Sequence, residues 1–156
     1  SPKETGKTFI SNSKLKVKFF TKYVNFPVIS DDSGLCIEAL KNKPGIYSAR
    51  LAKKHGSFFK AMKFILNKLE KEKNRRATFV CSLSYKNNNG KIISVEGKLK
   101  GNISKKILGK RGFGYDPIFI PFNQKITFGQ MSKIKKIKMD HRFLAFKKLK
   151  KKVKIL

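Results

Sequence analysis

The sequence Ile29-Ser30-Asp31-Asp32-Ser33-Gly34-Leu35 places two adjacent carboxylates directly after a short apolar run. An apolar run that ends in Ser and Gly is typical of a short buried strand that breaks into a turn. Carboxylates at the end of a buried strand are costly unless they hold a cation or a proton. A helix N-cap or an Asx-turn also favours Asp and Ser, so the pair by itself leaves both a metal site and a cap open.

The acidic pair stands out because the chain is strongly basic. Its 156 residues include 38 Lys and Arg but only nine Asp and Glu, which gives a formal net charge of +29. Such a charge invites a nucleic-acid or anionic-membrane interpretation. However, only five of the basic residues are Arg, which base and phosphate recognition usually recruits, and the lysines are spread over every segment. We therefore treat the charge as background and do not expect nucleic acid as a partner.

Length and apolar content predict a single folded domain over residues 1–156. A chain of this length can bury one core, and 40% of its residues are hydrophobic. The two cysteines, Cys36 and Cys81, are far apart and form no CxxC pattern, which is typical of buried thiols in a reducing compartment. No signal peptide and no run of 18 apolar residues is visible, so we expect a cytoplasmic protein without a membrane partner.

Hydrophobic spacing predicts helices in alternation with strands. Helical stripes begin near Thr8 and at Ser57, which is a suitable N-cap. Residues 77–85 alternate between apolar and polar side chains, which predicts a half-buried strand, and the turn at 87–90 joins it to a partner strand. A final helix is predicted from Met139-Asp140-His141-Arg142 to about Leu156.

Two further stretches carry chemistry. In Gly112-Phe113-Gly114-Tyr115-Asp116-Pro117, glycines flank an aromatic ring that could stack on a planar base or fold into the core. His141 and Arg142 at a helix start would lie beside unsatisfied backbone N–H groups, which suits an anion or a carbonyl oxygen. A surface Arg and a helix capped by Asp140 fit the same residues.

Taken together, these stretches resemble the inosine triphosphate pyrophosphatase family, which acts on non-standard purine nucleoside triphosphates. The resemblance implies an α/β fold with an elongated mixed β-sheet in two lobes, flanked by helices, and a nucleotide cleft between the lobes. It also implies homodimers that hydrolyse ITP, dITP and XTP to the monophosphate and pyrophosphate with Mg²⁺. The matching segments follow the family's order along essentially the whole chain: Glu4-Thr5-Gly6-Lys7-Thr8-Phe9, Asp31-Asp32-Ser33-Gly34-Leu35, Pro44-Gly45-Ile46-Tyr47-Ser48-Ala49-Arg50, Gly112-Phe113-Gly114-Tyr115-Asp116-Pro117-Ile118-Phe119, and Lys136 with His141-Arg142.

The resemblance further implies a role for each residue of these motifs. Asp32 would be the general base that activates water, and Asp31 and Asp32 would face the metal ion. Ser33 would contact the phosphates, and Lys136 would contact the substrate. Donors aimed at a purine 6-oxygen would reject a 6-amino group, since those donors would then stay unpaired. His141 and Arg142 would supply these donors. Phe113 would stack on the base, and Gly114, Tyr115 and Asp116 would line the rest of the base pocket.

Three departures from the family pattern modify these expectations. Family members open with a strand and a (Ser/Thr)-x-Asn-x-x-Lys phosphate loop, and this sequence starts after that point. We therefore expect the amino-terminal strand to be absent and these 156 residues to turn over ITP poorly or not at all. Ser11 replaces an expected magnesium-binding Glu, and Asp140 replaces a Ser; its carboxylate would favour a 6-amino group or pair with Arg142. The alternatives are an inactive relative and a basic nucleic-acid-binding module on the same fold.

Overall fold

The computed structural model describes residues 2–87 and 89–153 of the chain. Helices in this part are α1 (Phe9–Phe20), α2 (Ser48–His55), α3 (Phe58–Lys68), α4 (Lys133–Ile137) and α5 (His141–Lys152). The strands are β1 (Val28–Ile37), β2 (Lys43–Pro44), β3 (Arg76–Lys86), β4 (Ile92–Ile103) and β5 (Phe119–Pro121). No described helix is long and apolar enough to cross a membrane. The predicted α/β class is confirmed.

Within the described residues, the strands form one sheet in the order β2-β1-β3-β4-β5. β1 pairs antiparallel with β2, and β4 pairs antiparallel with β5. Strands β3 and β4 are the predicted hairpin, and the Gly90 N–H donates to the Asn87 carbonyl at 3.1 Å in their turn. Asn88, which the prediction also placed in this turn, lies outside the described residues.

The chain divides into two compact units. Unit 1 comprises the described residues of 1–33, 80–98 and 141–156, and unit 2 comprises residues 34–79 and 99–140. In unit 1, strand residues of β3 and β4 and the apolar face of α5 form a small core of Cys81, Leu83, Val95, Ala145 and Leu149. In unit 2, α2, α3 and β5 contribute to a larger core that includes Leu35, Ala52, Ile65, Phe79, Phe119 and Phe128.

The structure of β1 contradicts the predicted turn after the acidic pair. The strand runs without interruption through Asp31, Asp32 and Gly34, so the carboxylates lie neither at a strand end nor at a helix cap. Gly34 marks a close backbone approach instead of a turn. A Cβ at this position would collide with the Gly45 carbonyl and the Ser48 hydroxyl. The glycine at position 34 therefore permits a tight contact inside unit 2, and the strand continues through it.

β3 is more buried than its alternating pattern predicted. Ser82 and Ser84 lie on the face predicted to be solvated, yet both are fully buried. Within unit 1, Ser13 of α1 covers this face, with its Oγ 3.0 Å from Ser82 Oγ and 2.7 Å from Ser84 Oγ. Ser84 Oγ also lies 2.7 Å from Ser94 Oγ. Hydroxyl groups satisfy one another here, so polar side chains can occupy a buried face.

Three helices begin where the sequence predicted. Thr8 and Ser57 cap α1 and α3, and each side chain accepts a hydrogen bond from the backbone N–H three residues on. Ser11 completes a capping box, since its Oγ accepts the Thr8 N–H at 3.0 Å. α5 begins at His141 and is described to Lys152; its predicted end near Leu156 lies outside the described residues.

Candidate functional site

Asp32 is the buried member of the acidic pair. Its side chain is 7% exposed and accepts hydrogen bonds from Asn12 Nδ2 at 3.2 Å and from Lys16 Nζ at 3.1 Å. Burial raises the pKa of the Asp32 carboxyl, and the Lys16 charge and the Asn12 hydrogen bond partly offset this rise. The surroundings therefore make Asp32 a stronger base than a surface Asp and hold it in a fixed orientation.

α1 positions both partners of Asp32. Asn12 and Lys16 are four residues apart, so they lie on the same side of the helix. Asn12 is fully buried, and its Oδ1 accepts the Gly6 N–H at 2.8 Å, which fixes the orientation of the amide. Sequence reasoning missed these residues, because their contacts with Asp32 and Gly6 exist only in the folded chain.

The Lys16 ammonium group lies among three oxygen atoms of unit 1. Nζ is 2.7 Å from Glu4 Oε1, 3.1 Å from Asp32 Oδ1 and 2.9 Å from the main-chain oxygen of Asp31. Burial alone would lower the pKa of Lys16, but the Glu4 and Asp32 carboxylates outweigh it and raise the pKa above its ordinary value. The group therefore carries its positive charge at neutral pH.

These oxygen atoms form a donor set that suits a hard divalent cation. Mg²⁺ binds one or two protein carboxylates and completes its coordination with water and substrate phosphates. The Glu4 and Asp32 carboxylates and the Asp31 main-chain oxygen already surround one positive charge, that of Lys16. Over the described parts of the chain, no three His, Cys, Asp or Glu side chains cluster to hold a metal. The residues present fit a metal ion that also binds oxygen atoms of the substrate.

The Asp31 carboxylate has different partners from Asp32. Its Oδ2 accepts hydrogen bonds from Arg142 Nη2 at 2.7 Å and from Ser33 Oγ at 3.2 Å. Burial by itself would raise the pKa of Asp31, but Arg142 and Ser33 outweigh this effect and hold the pKa below its ordinary value. Consecutive residues of a strand point to opposite faces, which explains why the two carboxylates bind separate partners.

α5 places His141 and Arg142 in its first turn. In unit 1 this helix approaches β4 at Gly97, where a Cβ would collide with the backbone of α5 at His141 and Ala145. The missing side chain therefore lets the start of the helix lie directly on the strand. His141 is buried, whereas the Arg142 side chain keeps 59% of its surface exposed while it binds Asp31.

In unit 2, Asp116 closes the loop that begins at Phe113. Asp116 Oδ2 accepts the Phe113 N–H at 2.6 Å and lies 2.7 Å from Lys136 Nζ of α4. Burial raises the pKa of Asp116, and the Lys136 ammonium and the Phe113 N–H partly offset this rise. Gly112 has φ of +80°, and a Cβ there would collide with the Asp116 carboxylate, so this loop requires glycine.

The two aromatic rings of this loop have opposite environments. Phe113 is 75% exposed, whereas Tyr115 is buried and its hydroxyl donates to the Ser48 carbonyl at 2.8 Å. Both rings meet Phe58 edge-on, with centroid distances of 5.3 Å and 5.2 Å. Gly114, with φ of +64°, lies between them. The Phe113 ring is thus open to a ligand, and Tyr115 anchors the loop to the core of unit 2.

The structure distributes the predicted site residues over the two units. The carboxylate group in unit 1 is joined by hydrogen bonds through Arg142, Ser33, Asn12 and Lys16. The loop group in unit 2 is joined through Asp116 and Lys136. By unit, the predicted residues are Asp31, Asp32, Ser33, His141 and Arg142 in unit 1, and Phe113, Gly114, Tyr115, Asp116 and Lys136 in unit 2.

Known proteins resemble this chain over nearly its whole length. The model of the Ham1 family matches residues 1–152. A protein of Borrelia duttonii (strain Ly) named dITP/XTP pyrophosphatase is 46% identical over 158 residues, covering 96% of this chain and 78% of that protein. One of the same name from Caulobacter vibrioides is 42% identical over 151 residues, with the same shares covered.

Solved structures agree with these relatives. The Ham1 protein of Staphylococcus aureus matches with a TM-score of 0.90 and 40% identity, covering 97% of this chain and 79% of that one. A HAM1 protein from Coxiella burnetii matches with a TM-score of 0.89 and 33% identity over the same shares. Sequence and structure thus confirm the resemblance that the motifs indicated. The chain belongs to the Ham1 family.

Proposed function

We propose that this chain hydrolyses the non-standard purine nucleoside triphosphates dITP, XTP and ITP to the monophosphate and pyrophosphate. The relatives from Borrelia duttonii and Caulobacter vibrioides are named dITP/XTP pyrophosphatases. The observation that carries the proposal is the buried Asp32 carboxylate, which Asn12 orients and the Lys16 ammonium adjoins. A fixed base beside a fixed positive charge is what attack of water on a polyphosphate requires.

In this proposal Asp32 accepts a proton from the attacking water. The raised pKa of Asp32 increases its affinity for that proton, while Lys16 favours the ionised form before the reaction. The Lys16 ammonium also supplies positive charge toward the phosphate oxygens. The Ser33 hydroxyl would contact the phosphates as well, and the Asp31 carboxylate would orient Arg142.

We assign a divalent metal ion, proposed to be Mg²⁺, to the oxygen atoms that the Lys16 ammonium contacts in this structure. To admit the ion, Lys16 would turn away from them toward the substrate phosphates. Asp32 and Glu4 would hold it through their carboxylates, and Asp31 through its main-chain oxygen. When bound, the ion would neutralise charge on the polyphosphate. Ser11, which stands where a metal-binding Glu was expected, serves the capping box of α1 in this chain. Glu4 would therefore be the second carboxylate beside Asp32.

Some residues of the predicted base pocket would contact the substrate, and others would hold the loop in place. Phe113 would stack on the purine, and His141 and Arg142 would donate to its 6-oxygen. Gly114, Tyr115 and Asp116 would line the pocket, with Lys136 contacting the substrate. Asp116 and Tyr115 act mainly by fixing the loop, since their hydrogen bonds go to the protein backbone.

The family resemblance also supports a homodimer in the cytoplasm, which we propose as the working state. Light scattering coupled to size-exclusion chromatography measures the mass of the protein in solution. A mass of one chain at micromolar concentration would contradict the dimer without touching the proposed chemistry.

The activity is tested with purified protein and a panel of nucleotides. Pyrophosphate released from dITP, XTP, ITP, ATP and GTP is converted to phosphate by inorganic pyrophosphatase and read with malachite green. We expect magnesium-dependent release from the first three nucleotides and less from ATP and GTP. A reaction without the protein supplies the background, so even weak turnover is measurable. Release no higher than this background with every nucleotide would instead identify an inactive relative.

A further inference from the structure

Unit 2 carries a basic groove that the proposed hydrolysis does not use. The groove has a volume of about 830 Å³, and four exposed lysines line it, Lys63 from α3 and Lys105, Lys106 and Lys110 from the segment after β4. None of its lining residues is Asp or Glu. The concave lining thus brings four positive charges together without an acid among them.

The backbone that carries three of these lysines is fixed by hydrogen bonds. The Ser104 hydroxyl donates to the Lys106 carbonyl at 2.6 Å, and the Leu108 N–H donates to the Pro117 carbonyl at 2.8 Å. The Leu108 carbonyl accepts the Thr127 hydroxyl at 2.6 Å. A fixed backbone lowers the entropy lost when the lysine side chains bind an anion.

The same groove contains an exposed aromatic ring. Phe59 is 52% exposed, and Lys63 Nζ lies over one face of its ring, 4.8 Å from the centroid, which leaves the other face for a base. Met62, Ile107 and Pro117 add apolar surface. An anion bound at Lys63 would therefore lie next to a ring on which a planar group can stack. Proteins that bind single-stranded nucleic acid combine these two elements, a basic groove and aromatic stacking platforms.

We propose that this groove binds single-stranded nucleic acid, with a base stacked on Phe59 and phosphates bound by the four lysines. A duplex hides the faces of its bases and would leave the apolar surface unused. A flat lipid bilayer does not enter a concave groove, and inorganic polyphosphate has no apolar part. The adjoining groove beside Lys105 has a mixed lining, in which Glu70 and Glu72 stand among Lys71, Lys73 and Arg75.

The charge requirement is tested with fluorescence anisotropy of a labelled oligo-dT of about 12 nucleotides. The quadruple Lys→Gln variant at 63, 105, 106 and 110 is compared with a control of equal charge change, Lys→Gln at the exposed positions 22, 91, 150 and 151. We expect the slope of log affinity against log salt to flatten by about 3 in the groove variant, since each phosphate that a lysine neutralises adds roughly 0.7 to that slope. If the slope flattened equally in the two variants, the binding would depend only on the net charge of the protein, and the proposal would be overturned.

The stacking requirement is tested with Phe59→Ala against Phe122→Ala, which removes another exposed ring of unit 2. We expect affinity for oligo-dT to fall about tenfold in the first variant and to stay unchanged in the second. Circular dichroism checks that both variants are folded. Competition by inorganic polyphosphate, by a duplex or by phosphatidylserine vesicles as strong as that by unlabelled oligo-dT would overturn the assignment.

Discussion

Asp32 in unit 1 and Asp116 in unit 2 are both buried carboxylates beside a lysine, yet their surroundings differ. The lysine beside Asp32 also binds Glu4 and a main-chain oxygen, so one ammonium group serves three oxygen atoms. Asp116 binds Lys136 and the backbone N–H of Phe113, which closes a loop. The first arrangement concentrates negative charge around a cation, and the second holds a backbone conformation. The same two residue types thus form a candidate ion site in one unit and a structural clasp in the other.

The largest expected effect comes from removing the charge of Asp32. Asp32→Asn should lower the rate of pyrophosphate release about 10³-fold, since the proposed general base is lost. Asp31→Asn is the matched control, and it should lower the rate less because that carboxylate binds Arg142. Circular dichroism should show both variants folded. Equal rates for Asp32→Asn and the unchanged protein would assign the proton transfer to another group.

The second prediction concerns the ion pair between Asp116 and Lys136, the clasp in unit 2. Lys136→Met leaves the buried Asp116 carboxylate without its cation, which should lower the free energy of unfolding by about 3 kcal/mol at neutral pH. Urea denaturation measures this change. Lys135→Met removes an exposed lysine from the same helix and should have almost no effect. A similar loss of stability in both variants would show that the helix itself, and not the ion pair, is responsible.

The pH dependence of this clasp follows from the pKa of Asp116. That pKa is raised in the folded chain, so the folded state holds the proton more tightly than the unfolded state, whose pKa is about 3.8. The penalty for the buried charge is therefore largest at neutral pH and disappears as the pH falls below the unfolded value. Because Lys136→Met raises the pKa of Asp116 further, the stability difference between variant and unchanged protein should shrink as the pH is lowered.

A smaller effect is expected from Asn12, which supports the site in unit 1. Asn12→Ala removes the donor to Asp32 and the acceptor of the Gly6 N–H, and should lower the free energy of unfolding by about 2 kcal/mol. The pKa of Asp32 should rise, because the Asn12 hydrogen bond lowers it. Urea denaturation and the acid limb of the rate profile, which should move to higher pH, measure the two effects. Asn67→Ala, at an exposed position, is the control.

Arg142→Gln should cause the smallest change in the free energy of unfolding. The Arg142–Asp31 pair is partly exposed, and such pairs contribute less than about 1 kcal/mol. Because the pKa of Asp31 is lowered in the folded chain, this contribution is present above the unfolded value of 3.8 and is lost as the pH falls through the lowered value. Urea denaturation at low and high salt should show the difference shrinking with salt. A loss of several kcal/mol would indicate that Arg142 also anchors α5.

Features that depend on neighbouring residues could be predicted from the sequence. The caps at Thr8 and Ser57, the hairpin of β3 and β4 and the start of α5 at His141 all follow from local signals, and the structure confirms them. The family and the proposed chemistry followed from motifs in the same way. Each motif lies within a few residues of sequence, so no tertiary contact had to be known in advance.

Features that depend on distant contacts were missed. Gly34 suggested a turn, but its purpose is the approach of the Gly45 carbonyl, eleven positions away in the sequence. The buried face of β3 depends on the Ser13 hydroxyl of α1, which no pattern within the strand reveals. Glu4 and Lys16 became part of the site only when β1 brought Asp32 to them, so their importance could be seen only in the folded chain.

The position of the Lys16 ammonium group has a consequence for the protein without metal. Glu4 and Asp32 repel each other, and Lys16 acts as a built-in counterion that offsets part of this repulsion. A chelator that strips divalent ions therefore leaves this counterion in place, and the melting temperature of the protein should not depend on EDTA. The polypeptide would then keep the same shape with or without a divalent ion.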